Sequence, residues 1–146
     1  STLYGDMNGG FNPIKDIYKT ELFSLAKWRN KNLPKNVYLK KLDIIPESII
    51  EKEPTAELRD NQKDTDSLPS YDELDQILEG LVEYELSTNE LEKTGFSREE
   101  IKKVEHLLYI SEYKRRQSAP GVKISLRNFG RDRRYPITNK FRDKIE

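Results

Sequence analysis

Residues Ser70–Leu86 read SYDELDQILEGLVEYEL. Tyr71, Leu74, Ile77, Leu78, Leu81 and Val82 recur at intervals that place them on one face of an α-helix. A strand would scatter the same residues over both of its faces. Ser70 precedes the stripe and Glu73 follows three residues later. That pair predicts a capping box, in which hydroxyl and carboxylate each satisfy an amide at the open helix end.

The same signature returns toward the C-terminus. SREEIKKVEHLLYISEYKRR, residues 97–116, opens with Ser97 and Glu100. Ile101, Val104, Leu107, Leu108 and Ile110 supply its expected buried face. Between the two, STNELEKTG (87–95) predicts a short helix ended by Gly95. On the N-terminal side, TELFSLAKWR (20–29) places Leu22, Leu25, Ala26 and Arg29 at helical spacing. Thr20 is expected to accept from the first-turn amides, and Glu21 suits the positive helix end. NKNLPKN then stops that helix, and PESII (46–50) predicts one further helical turn.

The remaining chain carries no apolar period. Gly5, Gly9, Gly10, Asn8 and Asn12 make the first residues a loop with several turns. EKEPTAELRDNQKDTDSLPS (51–70) has almost nothing to bury, so residues 44–70 are expected to form a mobile loop region. Beyond Gln117 the periodicity dissolves, and Pro120, Gly121 and Pro136 argue against a regular element. Residues 115–146 therefore read as a basic arm. The expectation is a mainly α piece without internal repeats.

Composition agrees with a small core. Of 146 residues, 34% are hydrophobic and 36% charged, against roughly 45–50% and about 25% in a typical globular domain. The absence of cysteine excludes disulfides, thiolate metal sites and a thiol nucleophile. No apolar run suggests a membrane span. The start, STLYGDMNGG, is unlike a signal peptide and lacks Met, which reads as the middle of a longer protein.

A net charge of zero hides a pattern. Residues 1–42 hold 8 basic and 3 acidic side chains, residues 43–112 hold 7 and 20, and residues 113–146 hold 11 and 3. Two basic ends flank an acidic middle. Either the ends fold back onto the middle, or they meet an anionic partner.

Some residues invite chemistry. Lys19 follows a glycine-rich loop and precedes a helix, a setting that suits phosphate as well as solvent, and no Walker A loop is present. Thr55 offers a hydroxyl after Pro54. Asp64 and Asp66 bring carboxylates that suit Mg²⁺ or simply water. His106 is the only histidine, with no second ligand near it in sequence. Lys114, Arg115 and Arg116 sit where a helix dipole is negative, and Arg131, Arg133 and Arg134 form a second cluster. Together these arginines read as an anion clamp. With the aromatics Phe129 and Tyr135 interleaved they also allow a second reading, a non-enzymatic helical module that binds nucleic acid.

Six stretches then occur in order: STLYGD, NPIKDIYKT, KEPTAELRDNQ, YDELDQILEGL, SEYKRRQ and FGRDRRYPITNKF. Together they resemble the C-terminal part of the synthetase domain of glutamine-dependent NAD⁺ synthetases, over nearly the whole of residues 1–146. The resemblance implies an α/β, Rossmann-like ATP-pyrophosphatase domain of which this piece is mostly helical. It implies a C–N ligase in which ATP adenylates the nicotinate carboxylate of deamido-NAD and ammonia, made from glutamine, displaces AMP. Lys19 and Thr55 match the family's ATP contacts, and Tyr113 and Lys114 match its deamido-NAD contacts. ATP and Mg²⁺ are the implied cofactors. The implied partners are the rest of the synthetase chain and further copies of it, in the cytoplasm, with neither membrane nor nucleic acid. Leu3 stands where ammonia-dependent members carry a substrate-contacting lysine. The SGGxDS loop and the nitrilase-like region are missing, so the piece is expected to be inactive alone, with its metal ligands upstream.

Overall fold

The structure, a computed structural model, describes residues 10–52, 54, 55, 60, 63, 64, 68–128 and 130–138. Among them are six helices and no strands: α1 (Lys19–Lys31), α2 (Glu47–Ile50), α3 (Tyr71–Val82), α4 (Thr88–Lys93), α5 (Arg98–Ile110) and α6 (Glu112–Gln117). No described helix is long and apolar enough to cross a membrane. The chain divides into two compact units, Tyr18–Asp72 and Ser1–Ile17 with Glu73–Glu146.

The larger unit contains most of the core. α3 contributes Leu74, Ile77, Leu81 and Val82, α4 contributes Leu91, and α5 contributes Ile101, Val104 and Leu108. The predicted α3 stripe is thus largely the buried one. Gly80 permits the α3–α4 contact, since a Cβ there would lie 2.6 Å from Leu91 Cδ2. Both short turns end in Ser-x-x-Glu boxes. The Ser87 amide donates to Glu90 Oε2 at 2.8 Å and the Ser97 amide to Glu100 Oε2 at 3.2 Å. The Ser hydroxyls accept the N3 amides in return, each at 3.3 Å. As expected, Gly95 closes α4, with φ +108°.

The long helix expected over 97–116 is broken. Ser111 donates its hydroxyl to the Leu107 carbonyl at 2.6 Å and ends α5. This local bond competes with the helical ladder. The restart as α6 carries Glu112 into the interior, at 1% exposure. The buried face of α5 also stops earlier than its spacing predicts, because Ile110 is 51% exposed and Leu107 only half-buried.

Glu112 explains where part of the arm goes. Its carboxylate pairs with Arg115 at 2.8 Å and Arg116 at 3.3 Å. The two guanidiniums reach on to the carbonyls of Arg133 (2.5 Å) and Tyr135 (3.2 Å). Tyr135 is buried with its ring 4.2 Å from that of Tyr109, and the Arg133 guanidinium lies 5.0 Å from the Tyr135 centroid. Glu85, three residues beyond α3, pairs with Arg127 and Arg133. Much of the arm therefore folds back onto the acidic middle. Its start is anchored as well, because the Asp16 carboxylate accepts the amides of Ile124 and Ser125 at 2.7 and 2.8 Å.

The smaller unit is built differently. α1 buries only Asn30, while Leu25 and Trp28 are 44% and 49% exposed. The apolar face expected at Leu22, Leu25 and Ala26 is therefore not a buried one. The helix starts one residue before Thr20, at Lys19, so Thr20 is not its cap. Glu21 instead accepts the Tyr18 amide at 3.1 Å. Polar bonds replace a core. Asn30 brackets Ile45, donating to its carbonyl at 2.7 Å and accepting its amide at 3.0 Å. Arg29 donates to the carbonyls of Asn32, Leu39 and Lys41. α2 forms within the expected loop region, as PESII predicts, and buries Ile50.

Candidate functional site

In the smaller unit the N-terminus of α1 faces the segment that follows α2 across a cavity of about 370 Å³. Lys19, Lys52, Thr55 and Asp64 are its polar lining residues. Leu22, Phe23, Ile49 and Pro54 line the rest. Residues 36 and 45 positions apart from Lys19 in the chain are thus gathered at one opening.

Local bonds hold this arrangement. The Asp64 amide donates to the Pro54 carbonyl at 3.2 Å, which fixes Asp64 next to Thr55. Tyr71, at the start of α3, donates its hydroxyl to Asp64 Oδ2 at 2.5 Å. Lys19 is exposed at the first position of α1. The chemistry on offer is a cationic rim with a hydroxyl and an apolar wall. The chemistry of such a surface suits a phosphorylated molecule.

Tyr113 and Lys114 lie in the larger unit. Both are exposed on α6, and Tyr113 retains 48% of its surface. They follow directly on buried Glu112 and precede buried Arg115. The ion pair inside α6 therefore turns its next two side chains outward. Sequence reasoning grouped Lys114, Arg115 and Arg116 as one clamp, and the structure separates them. Arg115 is interior and lowered from the usual arginine range by burial, while Lys114 remains at the surface.

Lys52 was not singled out by its spacing, and only the cavity reveals it. His106 is exposed on α5. Among the described residues no three His, Cys, Asp or Glu side chains gather to hold a metal. Among the described residues Asp64 is the one carboxylate lining the cavity, and Tyr71 engages it. The described residues thus do not make a Mg²⁺ site by themselves. Leu3, Asp66 and Phe129 lie outside the described residues, as do residues 53, 56–59, 61 and 62 around the KEPTAELRDNQ motif.

Residues 1–118 match the family model described as NAD synthase. The chain belongs to this family. Within it, the glutamine-dependent NAD(+) synthetase of Rhodobacter capsulatus is 52% identical over 143 residues, covering 98% of this chain and 26% of that protein. The glutamine-dependent NAD(+) synthetase of Xanthomonas campestris is 49% identical over 141 residues, 97% of this chain and 24% of that protein. A solved structure of the glutamine-dependent NAD+ synthetase of Acinetobacter baumannii, in complex with adenosine diphosphate, is 43% identical, with a TM-score of 0.49 over 95% of this chain and 22% of that one. The chain spans about a quarter of the length of the curated family members it matches.

Proposed function

We propose that this chain is the C-terminal portion of the synthetase domain of a glutamine-dependent NAD⁺ synthetase, and that it supplies nucleotide-binding side chains to the amidation of deamido-NAD. The observation that carries the proposal is the meeting of Lys19 and Thr55 at one cavity. Identity of 52% across 98% of the chain supports the same reading. The parent domain is then α/β, with its parallel sheet outside this chain.

In the proposed reaction the nicotinate carboxylate of deamido-NAD attacks the α-phosphorus of ATP. Pyrophosphate leaves, and an acyl adenylate forms. Ammonia adds to the acyl carbon and loses a proton to water, AMP departs with the C–O electron pair, and the amide remains. Negative charge builds on the leaving pyrophosphate. Lys19 and Lys52 are assigned to offset it, since fixed cations need no reorganisation as charge develops. Thr55 is assigned to a phosphate oxygen as hydrogen-bond donor. Phe23 and Ile49 give the nucleotide an apolar surface. Tyr113 and Lys114 are assigned to deamido-NAD, for which their exposure leaves them available.

The nucleic-acid reading loses three of the six cations on which it rests, Arg115, Arg116 and Arg133. Arg115, Arg116, Arg127 and Arg133 are held by Glu85 and Glu112. Steady-state kinetics on a protein extended to the full length of its relatives tests the ligase assignment. Lys19→Ala should lower kcat/KM for ATP by roughly 10²-fold, the scale of one lost transition-state donor. Lys114→Ala should lower kcat/KM for deamido-NAD instead. Unchanged kinetics in either variant removes that residue from the site.

A further inference from the structure

The arginine run of the arm faces two ways. Arg133 turns inward to Glu85 and Tyr135. Arg131 and Arg134 remain exposed, and among the described residues neither pairs with a carboxylate. They share a corner, since Arg134 Nε donates to the Arg131 carbonyl at 3.3 Å.

A third cation enters this corner from far away in the sequence. Lys15 donates to Ser118 Oγ and to the Ala119 carbonyl, both at 2.8 Å. An ammonium has three protons, so one stays without an acceptor among the described residues. The side chain threads between two glycines. A Cβ on Gly121 would lie 2.7 Å from Lys15 Cγ and Cδ, and one on Gly130 would lie 2.7 Å from Cε and Nζ. Backbone with no side chains therefore cradles the lysine and delivers Nζ to the residue beside Arg131. Burial, then Arg131 and Arg134, hold the Lys15 ammonium below the usual lysine range. The nearby acids are committed elsewhere. Asp16 accepts from Ile124 and Ser125, and Asp132 is taken by Lys123 and the Asn128 amide.

We infer that Lys15, Arg131 and Arg134 form a binding site for a phosphate-bearing anion, with Lys15 as the fixed point and the two arginines as the exposed jaws. Arg131 and Arg134 repel the Lys15 ammonium more than Asp16 attracts it, and among the described residues no carboxylate pairs with any of the three. An anion with several oxygens relieves that repulsion and takes the spare lysine proton. Planar guanidiniums suit phosphate oxygens in pairs. The anion is either free phosphate or pyrophosphate, or the diphosphate bridge of a dinucleotide. The inference does not depend on the roles assigned to Lys19 and Thr55, and binding is read without turnover.

Isothermal titration of the 146-residue chain at physiological salt tests it, with inorganic pyrophosphate in one arm and NAD in the other. Sulfate at matched ionic strength is the control. Saturable binding in either arm is expected, weakened at least tenfold by the double variant Arg131→Gln/Arg134→Gln. Both residues are exposed, so the fold should survive, with an unchanged far-UV CD spectrum as the check. Binding of pyrophosphate assigns the free anion, and binding of NAD alone assigns the dinucleotide bridge. Lys15→Met should also abolish binding, but its cradle makes loss of fold an equal outcome, so the double variant decides. No saturable binding in either arm, equal affinity in the double variant, or sulfate binding as tight as pyrophosphate overturns the inference.

Discussion

Glu112→Gln should be among the most destabilising single changes in the larger unit, and nearly all of the cost should come from one of its two partners. Glu112 is 1% exposed and meets Arg115 at 2.8 Å and Arg116 at 3.3 Å. The Arg115 side chain is 6% exposed, whereas that of Arg116 is 43% exposed. Glutamine keeps the shape of the acid but strands the Arg115 charge. Breaking a buried pair from one side costs about 3–5 kcal/mol. The Arg116 pair is open to water, where such contacts are worth about 0–1 kcal/mol. Urea unfolding followed by far-UV CD, with near-UV CD reporting the Tyr109–Tyr135 ring contact, measures each loss. Glu112→Gln should cost several times as much as Arg116→Gln. In a double-mutant cycle with Arg115→Met, the second change should recover much of the first, because the stranded charge is gone. Equal losses for Glu112→Gln and Arg116→Gln, or strict additivity with Arg115→Met, would refute the reasoning.

Three further outcomes are expected. Gly80→Ala should destabilise by about 1–3 kcal/mol despite alanine's better helix propensity, since its methyl overpacks Leu91 in the core, and thermal unfolding reads the sign directly. Asn30→Ala should cost about 1–3 kcal/mol by leaving the amide and carbonyl of Ile45 unpaired; Trp28, the sole tryptophan, reports it by fluorescence. The carboxyls of Glu90 and Glu100 lie below the usual 4.5, first through the Ser87 and Ser97 hydroxyls and then through their amides. Depressed folded values mean that both boxes contribute fully above pH 4.5 and lose their contribution as pH falls through the folded values. Carboxyl NMR titration should place both midpoints below those of Ser87→Ala and Ser97→Ala.

Local chemistry was legible and distant chemistry was not. The cap of α5 could be read because Ser97 and Glu100 are three residues apart and bond only to each other's backbone. The cap of α4 has the same bonds at Ser87 and Glu90, which the structure adds. The core of α3 followed from periodicity. The break at Ser111 was hidden because serine is tolerated in a helix, and what favours the restart is the burial of Glu112 against Arg115. α1 misled because helical spacing states which residues share a face, not whether anything covers it.

The sequence by itself determined that this chain is helical, where most of its helices begin, that basic ends flank an acidic middle, and which family's motifs it carries. Those properties rest on bonds spanning a few residues and on the order of side chains. Only the tertiary structure decided which cations are occupied. Arg133 goes to Glu85, Arg115 to Glu112, and Lys15 to Ser118, 103 positions away. The charge of a residue is written in its identity, but its partner depends on the path of the chain between them.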